Sequence, residues 1–419
     1  MGIKGRLTLM SFMQFFVWGA WLITIGTYCF NAKGWTGEQF GAIFSTLAIS
    51  SIFMPALTGI LADKWLNAER LYGMLHIFYG IVLFFVPQVN DPDTLYYVVL
   101  LAMIFYMPTI SLSNSISYQI LKSKQYNVVK DFPPIRVWGT IGFIAAMWIT
   151  NLTGSKANAN QFLIGAVGAI ALGVYSFTLP KCPPQKSISR DASLIEIMGL
   201  NAFKLFASYK MALFFIFAMF LGGALQLTNM YGDSFLDDFR HIPAYADSFV
   251  VRYSTIIMSI SQISETLFIL TIPFFLRKYG IKNVMLFSMI AWVLRFGLFA
   301  YGNPDERLWM IILSMVVYGL AFDFFNISGS LFVETTTDPK MRASAQGLFM
   351  MMTNGFGAYL GSKVSGFVID RYFSGPEGKD WQGIWLSFSI YALIVAVLFA
   401  ILFRHKHDRK ELENPMHPA

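Results

Sequence analysis

The sequence predicts an all-α protein that crosses a membrane many times, and three observations support this. Hydrophobic residues make up 56% of the 419 residues and charged residues only 13%, whereas soluble domains carry about 25% charged residues. The mean hydropathy is +0.55. A helix of about 20 apolar residues crosses the hydrocarbon core, and windows of that length predict twelve transmembrane helices.

The twelve predicted spans are separated by short polar or basic segments. They lie near residues 7–30, 40–62, 70–88, 94–118, 133–151, 160–179, 211–232, 248–276, 283–301, 307–333, 342–369 and 382–403. The first is too long for a signal peptide and lacks a small-residue cleavage pattern, so we expect it to be retained. The fifth helix is predicted to begin at Asp131, because the tandem prolines Pro133 and Pro134 fit a helix start.

A polar stretch of mixed charge divides the spans into two sets of six. Its composition is typical of a linker, within which residues 193–208 could form an amphipathic helix on the membrane surface. The predicted domains are an N-terminal six-helix bundle at 1–180, a cytoplasmic linker at 181–209, a C-terminal six-helix bundle at 210–403 and a cytoplasmic tail at 404–419.

Lysine and arginine are distributed unequally between alternate loops, which predicts that both termini are cytoplasmic. With that orientation the outer loops hold only Lys33, Lys156, Arg240, Arg307, Arg371 and Lys379. The net charge of +7 then faces the anionic inner leaflet, and no nucleic-acid partner is needed to explain it. Cys29 and Cys182 fall on opposite sides, so we expect no disulfide, and we expect no metal or cofactor.

Glu265 is a carboxylate inside the predicted span 248–276. A charge at the centre of a span costs at least about 2.5–3.5 kcal/mol, so Glu265 should face a water-filled or protein-lined interior. Gln262 lies three residues earlier and on the same helical face. The alternatives are a structural ion pair or an interhelical hydrogen bond for Glu265, and an interhelical hydrogen bond for Gln262.

Arg136, Thr140 and Phe143 fall on one face of the fifth predicted helix. A guanidinium, a hydroxyl and an aromatic ring in one row would suit a planar heterocycle with a polar edge. The alternative is that Arg136 extends to the inner membrane interface. Gln14 in the first span could line a cavity or bond a neighbouring helix.

Further polar groups lie in the second half of the chain. Gln226 and Asn229 share a face of the seventh span, where their amides can both donate and accept. Tyr318 and Phe322 lie one turn apart in the tenth span, next to a second intramembrane carboxylate, Asp323. Either Asp323 or Glu265 could carry a proton. Arg295 has no polar companion in the sequence around it, and we expect it to be structural.

The stretch Gly59-Ile-Leu-Ala-Asp63-Lys64 follows the second span. It resembles the G-x-L-A-D-[RK] loop motif of the major facilitator superfamily, in which the aspartate caps or pairs with helix ends at the inner gate. The match is partial, because Trp65 and the three residues after it replace the usual glycine and second basic residue. A short basic loop recurs at 277–282, as parallel six-helix repeats would produce. The motif and the count of twelve predict a major facilitator fold.

Five longer stretches resemble the bacterial nucleoside:H+ symporters of this superfamily. They are FPPIRVWGTIGFIAAMW at 132–148, QLTNMYG at 226–232, IIMSISQISETLFILTIPFFL at 256–276, YGLAFDFFNISGSLFVE at 318–334 and RASAQGLFMMMTNGFG at 342–357. The resemblance implies a proton-driven importer of nucleosides in the bacterial inner membrane, working by rocking of its two halves, and we expect a monomer. It also implies substrate contacts from Arg136, Thr140, Phe143, Gln226, Asn229, Gln262, Glu265, Tyr318, Phe322 and Asp323.

Three other classes of protein are weighed, and the first of them remains open. A sugar or oligosaccharide:H+ symporter would use similar rows of carboxylates, amides and aromatic rings. A membrane enzyme is not expected, because the sequence contains no zincin motif, nucleophile elbow or Walker loop. A transporter-like sensor is not expected either, because its signalling domain would be a soluble piece longer than the central linker.

Overall fold

The structure is a computed structural model that describes residues 2–184, 200–338, 341–376 and 378–405, nearly all of them helical. The chain divides into two compact units. The first unit comprises Met1–Met198, Asn229–Ser234 and Tyr253–Ile256, and the second comprises Gly199–Thr228, Phe235–Arg252 and Ile257–Ala419.

The first unit is a bundle of apolar helices. They are α1 (Ile3–Gly19), α2 (Ile25–Thr27), α3 (Gly37–Lys64), α4 (Ala68–Phe85), α5 (Pro92–Ser123), α6 (Val128–Leu152) and α7 (Asn160–Ser176), with a π-helical turn at Tyr28–Ala32 and a 3-10 turn at Val86–Gln88. Helix α1 packs against α6 and α7, α3 packs against α5, and α4 packs against α5 and α7. Tyr72 and Ile116 are among the fully buried residues of its core.

The second unit contains the remaining elements. They are a 3-10 helix at Leu200–Ala207, α8 (Tyr209–Asp238), a 3-10 turn at Phe239–His241, α9 (Phe249–Arg252), α10 (Ser254–Met258), α11 (Ile260–Phe268), a 3-10 turn at Ile269–Thr271, α12 (Ile272–Tyr301), α13 (Leu308–Thr336), α14 (Arg342–Met350), a π-helical segment at Met351–Gly357, α15 (Ala358–Tyr372), β1 (Ser374–Gly375), β2 (Gly378–Lys379) and α16 (Trp381–Leu402). Short parts of α8 and α10 belong to the first unit. Helix α12 packs against α13 and α16, α11 packs against α13, and β1 pairs antiparallel with β2.

Eight helical segments of the described residues are long and apolar enough to cross a membrane. They correspond to nine of the predicted spans, because the segment Ser254–Tyr301 contains two of them. The spans predicted at 7–30 and 342–369 fall on helices interrupted by a turn or a π-helical segment, and the span at 160–179 falls on the 17-residue helix α7.

The predicted start of the fifth helix is wrong. Helix α6 begins at Val128, because the side chain of Asn127 accepts the backbone N–H of Lys130 at 3.1 Å and caps the helix there. Pro133 and Pro134 therefore lie inside the helix. The residue that caps a helix, and not the nearest proline, decides where the helix begins.

The predicted span 248–276 is not one continuous helix. It consists of α9, α10, α11, a 3-10 turn and the first residues of α12. The interruption before α10 falls at Tyr253, directly before Ser254, whose hydroxyl donates to a side chain on α8. Gly280 marks the boundary with the next span, with φ of 77° and ψ of 168°, a conformation essentially limited to glycine. Of the predicted surface helix, residues 193–199 lie outside the described residues and 200–207 are 3-10 helical.

Two glycines bring α8 and α15 into backbone contact. A Cβ atom added to Gly361 would lie 2.6 Å from the Cα atom of Gly223. Small residues allow this close approach, which gives dispersion contacts between helices in the absence of a hydrophobic driving force.

We expect the substitution Gly361→Ala to lower the midpoint of thermal unfolding in detergent by several degrees, because overpacking costs about 1–3 kcal/mol. Gly347→Ala is the matched control, since a Cβ at Gly347 would meet nothing within 4 Å and alanine is the better helix former. Equal unfolding midpoints for the two variants would contradict a tight contact at Gly361.

Candidate functional site

The two intramembrane carboxylates of the second unit lie on helices that pack closely. A Cβ atom at Gly319 on α13 would be 2.6 Å from the carbonyl carbon of Ser264 on α11. The Ser264 hydroxyl donates to the carbonyl of Val316. This close approach holds Glu265, the next residue on α11, near the predicted site residues of α13.

An acidic and aromatic cluster results on α11 and α13. The rings of Tyr318 and Phe322 stack with centroids 5.6 Å apart and an angle of 12°. Asp323 is 5% exposed and interacts electrostatically with Glu265. Tyr318 interacts electrostatically with both acids. The structure thus brings together four of the predicted residues of this unit.

Two oxygen atoms in this region are buried without a hydrogen-bond partner among the described residues. They are Oδ2 of Asp323 and Oε1 of Gln262. Buried acceptors are normally satisfied, and each exception calls for an explanation, such as a functional role. A ligand hydroxyl can donate to either oxygen. Gln226 on α8 is half-buried in the same unit.

The predicted residues of the first unit lie on α6. The guanidinium of Arg136 lies 4.0 Å from the ring centroid of Phe15, a cation–π contact. Thr140 is half-buried, and Phe143 is 9% exposed with its ring edge-on to Trp18 at 6.3 Å. These three residues can offer a cation, a hydroxyl and an aromatic ring to a ligand.

Two other predictions are placed differently from what the sequence suggested. Asn229 belongs to the first unit, while Gln226, three residues earlier on α8, belongs to the second. Gly59, Asp63 and Lys64 lie in the last turns of α3, which continues through Lys64, and not in a loop.

Asp233 is a fully buried carboxylate of the first unit that the sequence analysis missed. Its Oδ1 accepts the hydroxyls of Ser254 at 2.9 Å and Thr255 at 2.7 Å, and its Oδ2 accepts the hydroxyl of Thr27 at 2.5 Å. The Ser254 hydroxyl also accepts from Lys156 at 2.9 Å. The sequence offered one signal for this buried carboxylate, an acid near the end of an apolar helix. Its hydroxyl partners lie far away in the sequence, so the local pattern did not reveal them.

Gln14 is the centre of a second buried network in the first unit. Its Oε1 accepts the hydroxyl of Tyr72 at 2.6 Å and faces His76 Nε2 at 2.9 Å, while its Nε2 donates to Thr109 at 2.9 Å. Because Gln14 presents an oxygen, the tautomer of His76 consistent with this network carries its proton on Nε2. Of the two roles left open for Gln14, the structure supports bonding of neighbouring helices.

Arg295 has no polar companion in the sequence around it, but it has polar partners on other helices. Its Nε donates to the Thr228 hydroxyl at 3.1 Å, its Nη1 to the Ser314 carbonyl at 2.6 Å and its Nη2 to the Ser261 hydroxyl at 3.2 Å. These partners come from α8, α13 and α11, so inspection of its own helix could not reveal them.

Comparison with known proteins identifies the family of the chain. A family model described as "Nucleoside H+ symporter" matches residues 1–408. The nucleoside permease NupG of Escherichia coli is 50% identical over 410 residues, 98% of each chain, and the xanthosine permease of the same organism is 50% identical over 415 residues, 99% of each chain. A crystal structure of the nucleoside transporter NupG matches with a TM-score of 0.91, covering 97% of this chain and 100% of that chain at 50% identity.

The protein is therefore a multi-pass membrane transporter with the major facilitator fold. The chain belongs to the nucleoside H+ symporter family. The predicted fold class and the predicted family are both confirmed.

We expect Asp233→Ala to lower the midpoint of thermal unfolding in detergent, because three buried hydroxyls lose their acceptor, at about 1–3 kcal/mol for each hydroxyl that stays unsatisfied. Asp233→Asn keeps one acceptor oxygen, so its unfolding midpoint should lie between those of Asp233→Ala and the wild type. Asp247→Ala, at an exposed position, serves as the control. If all three variants have the unfolding midpoint of the wild type, the hydrogen bonds between Asp233 and the three hydroxyls contribute nothing to stability.

Proposed function

We propose that this protein imports nucleosides together with protons across the bacterial cytoplasmic membrane by alternating access. The observation that carries the proposal is the buried, unsatisfied oxygen of Asp323 beside a second acid, Glu265. Ionisable residues inside membrane spans mark proton and substrate pathways. The relatives named for nucleosides and xanthosine support the same class of substrate.

The chemistry of the predicted site residues suggests which part of a nucleoside each residue would contact. Stacked rings such as Tyr318 and Phe322 present aromatic faces suited to a base. Gln262 and Glu265 would bind ribose hydroxyls, and Asp323 or Glu265 would exchange the proton. The proposed substrate contacts also include Arg136, Thr140, Phe143, Gln226 and Asn229. Gly59, Asp63 and Lys64 are proposed to act at the inner gate.

Proton coupling follows from the electrostatics of a membrane interior. Moving one charge through about 100 mV involves about 2.3 kcal/mol. If the loaded carrier reorients readily only when its acidic group is neutral, then proton entry and nucleoside entry proceed together. The membrane potential and the pH gradient then drive accumulation.

We further propose the topology that the charge distribution favours, with both termini cytoplasmic. The proposed organisation is a bundle at 1–180, a cytoplasmic linker at 181–209, a second bundle at 210–403 and a cytoplasmic tail at 404–419. The protein would act as a monomer and carry out no enzymatic reaction.

Substrate competition separates this proposal from a sugar:H+ symporter. We expect uptake of labelled uridine by membrane vesicles under an imposed pH gradient to be inhibited by free nucleosides. Sugars and free bases should inhibit weakly. Inhibition by sugars alone would exclude nucleosides as the substrate class.

We expect Asp323→Asn to abolish gradient-driven accumulation of uridine while sparing its binding. The asparagine amide is similar in shape to the carboxyl group but does not exchange a proton in the physiological pH range. Asp305→Asn, at an exposed position before α13, should accumulate uridine normally. Vesicle uptake and equilibrium binding measure the two properties separately. Full accumulation by Asp323→Asn would exclude Asp323 as the coupling group.

We expect Phe143→Ala to weaken uridine binding by about 1–3 kcal/mol, the value of one base–aromatic contact, which corresponds to an increase of about 5- to 150-fold in Kd. The ring also packs against Trp18, so the unfolding midpoint should be measured alongside binding. Phe177→Ala, which truncates an exposed ring at the end of α7, is the control. Unchanged affinity in a folded Phe143→Ala variant would place this side chain outside the binding site.

A further inference from the structure

Two aromatic rings of α1 pack against the part of α6 that carries the predicted substrate contacts. Phe15 and Trp18 lie three residues apart, and therefore on one face of α1. The Phe15 ring centroid is 4.0 Å from the guanidinium of Arg136, and the Trp18 ring meets the Phe143 ring edge-on at 6.3 Å. Two of the proposed substrate contacts of the first unit are thus packed against the same neighbouring helix.

Glycines on the facing helices make room for both contacts. A Cβ atom at Gly139 on α6 would lie 2.6 Å from Cδ2 of Phe15 and 2.8 Å from Nη1 of Arg136. A Cβ atom at Gly19 on α1 would lie 3.0 Å from Cγ of Phe143. Small residues let membrane helices approach closely. The rings of Phe15 and Phe143 therefore each lie over a glycine of the opposite helix.

The Trp18 ring is itself supported by a fixed neighbour. It contacts the ring of Tyr106 on α5, with centroids 5.4 Å apart. Tyr106 is fully buried, and its hydroxyl donates to the backbone carbonyl of Gln14 at 2.8 Å. Among the described residues, Nε1 of Trp18 is buried without an acceptor, so ring packing holds this side chain. Phe143 therefore packs against a ring whose own position is restricted.

These contacts restrict two groups that a substrate would otherwise have to order. Binding costs free energy when it immobilises a side chain with many rotamers, and a group that is already held avoids that cost. The guanidinium of Arg136 is held by a cation–π contact with Phe15, which is 9% exposed, and such contacts are stronger when they are desolvated. The angle of 85° between the Trp18 and Phe143 rings is a preferred geometry of aromatic pairs.

We propose that Phe15 and Trp18 are positioning residues for substrate binding, which hold the Arg136 guanidinium and the Phe143 ring in the orientation that a nucleoside meets. The proposal rests on the proposed nucleoside transport and deepens it. It assigns a role in substrate affinity to two residues of α1 that have no place among the predicted substrate contacts.

Equilibrium binding of labelled uridine to the purified protein in detergent tests the proposal. Phe15→Leu and Trp18→Leu remove the aromatic faces and keep apolar side chains. We expect each substitution to raise Kd about three- to tenfold, the effect of losing one cation–π or aromatic contact. In vesicles, KM for uptake should rise by a similar factor while the maximal rate stays near that of the wild type, because the lost interaction acts on binding.

Double-mutant cycles show whether each ring acts through its partner on α6. In the Arg136→Gln background, Phe15→Leu should weaken uridine binding less than it does with Arg136 present. In the Phe143→Ala background, Trp18→Leu should likewise weaken binding less than it does with Phe143 present. A residue that only stabilises the fold would show no such coupling.

Conservative variants and controls separate ring packing from other effects. Trp18→Phe keeps a ring and loses an N–H that has no acceptor in the described part of the chain, so its Kd should stay closer to that of the wild type than the Kd of Trp18→Leu. Trp138→Leu on α6 and Phe85→Leu at the end of α4 replace exposed rings and should bind uridine as the wild type does. If Phe15→Leu lowers the unfolding midpoint, Phe15→Met, whose flexible side chain fills irregular gaps, takes its place.

Unchanged uridine affinity in folded variants that lack the Phe15 and Trp18 rings would overturn the proposal. Equal losses of affinity with and without the partners Arg136 and Phe143 would overturn it as well, because the rings would then act on something else. Failure of the wild-type protein to bind uridine or any other nucleoside would contradict the proposed function instead.

Discussion

A polar or charged group inside a hydrocarbon layer must be hydrogen-bonded, paired or neutralised, because no water is present to solvate it. This constraint explains where the polar side chains of both units lie. Gln14 and Asp233 satisfy it with partners from the protein: the Asp233 carboxylate accepts hydroxyls, and the Gln14 amide bonds to hydroxyls and an imidazole. Asp323 does not satisfy it fully, since one of its oxygens has no donor in the described part of the chain. Asp323 is the proposed proton carrier, and its unsatisfied oxygen is the observation on which that proposal rests.

Close helix contacts make the acidic cluster possible. Gly319 lets α11 approach α13 at backbone distance, and Gly223 and Gly361 do the same for α8 and α15. Dispersion and interhelical hydrogen bonds are the forces that remain when lipid is as apolar as the helix surface. Arg295 adds a further connection among the same helices. Stability and the placement of charge therefore depend on the same contacts.

The sequence was sufficient for the fold class and the family, because hydropathy, the basic loops and several long motifs are local signals. The acids Glu265 and Asp323 were also recognisable, since a lone charge in an apolar run is conspicuous. The partners of Asp233 and Arg295 were not recognisable, because they lie on other helices and only the fold brings them together. The early start of α6 was missed because a side-chain cap, and not apolar length, determines where that helix begins. The breaks around Ser254 were missed because hydropathy does not report on the continuity of a helix.

The central claim is that intramembrane acids couple proton movement to nucleoside movement. The most direct measurement is the internal pH of proteoliposomes that contain a pH-sensitive dye and start with no gradient of either pH or potential. On addition of external uridine, the account predicts that the interior becomes acidic at a rate that follows uridine entry. Entry of uridine with no change in internal pH would contradict the account.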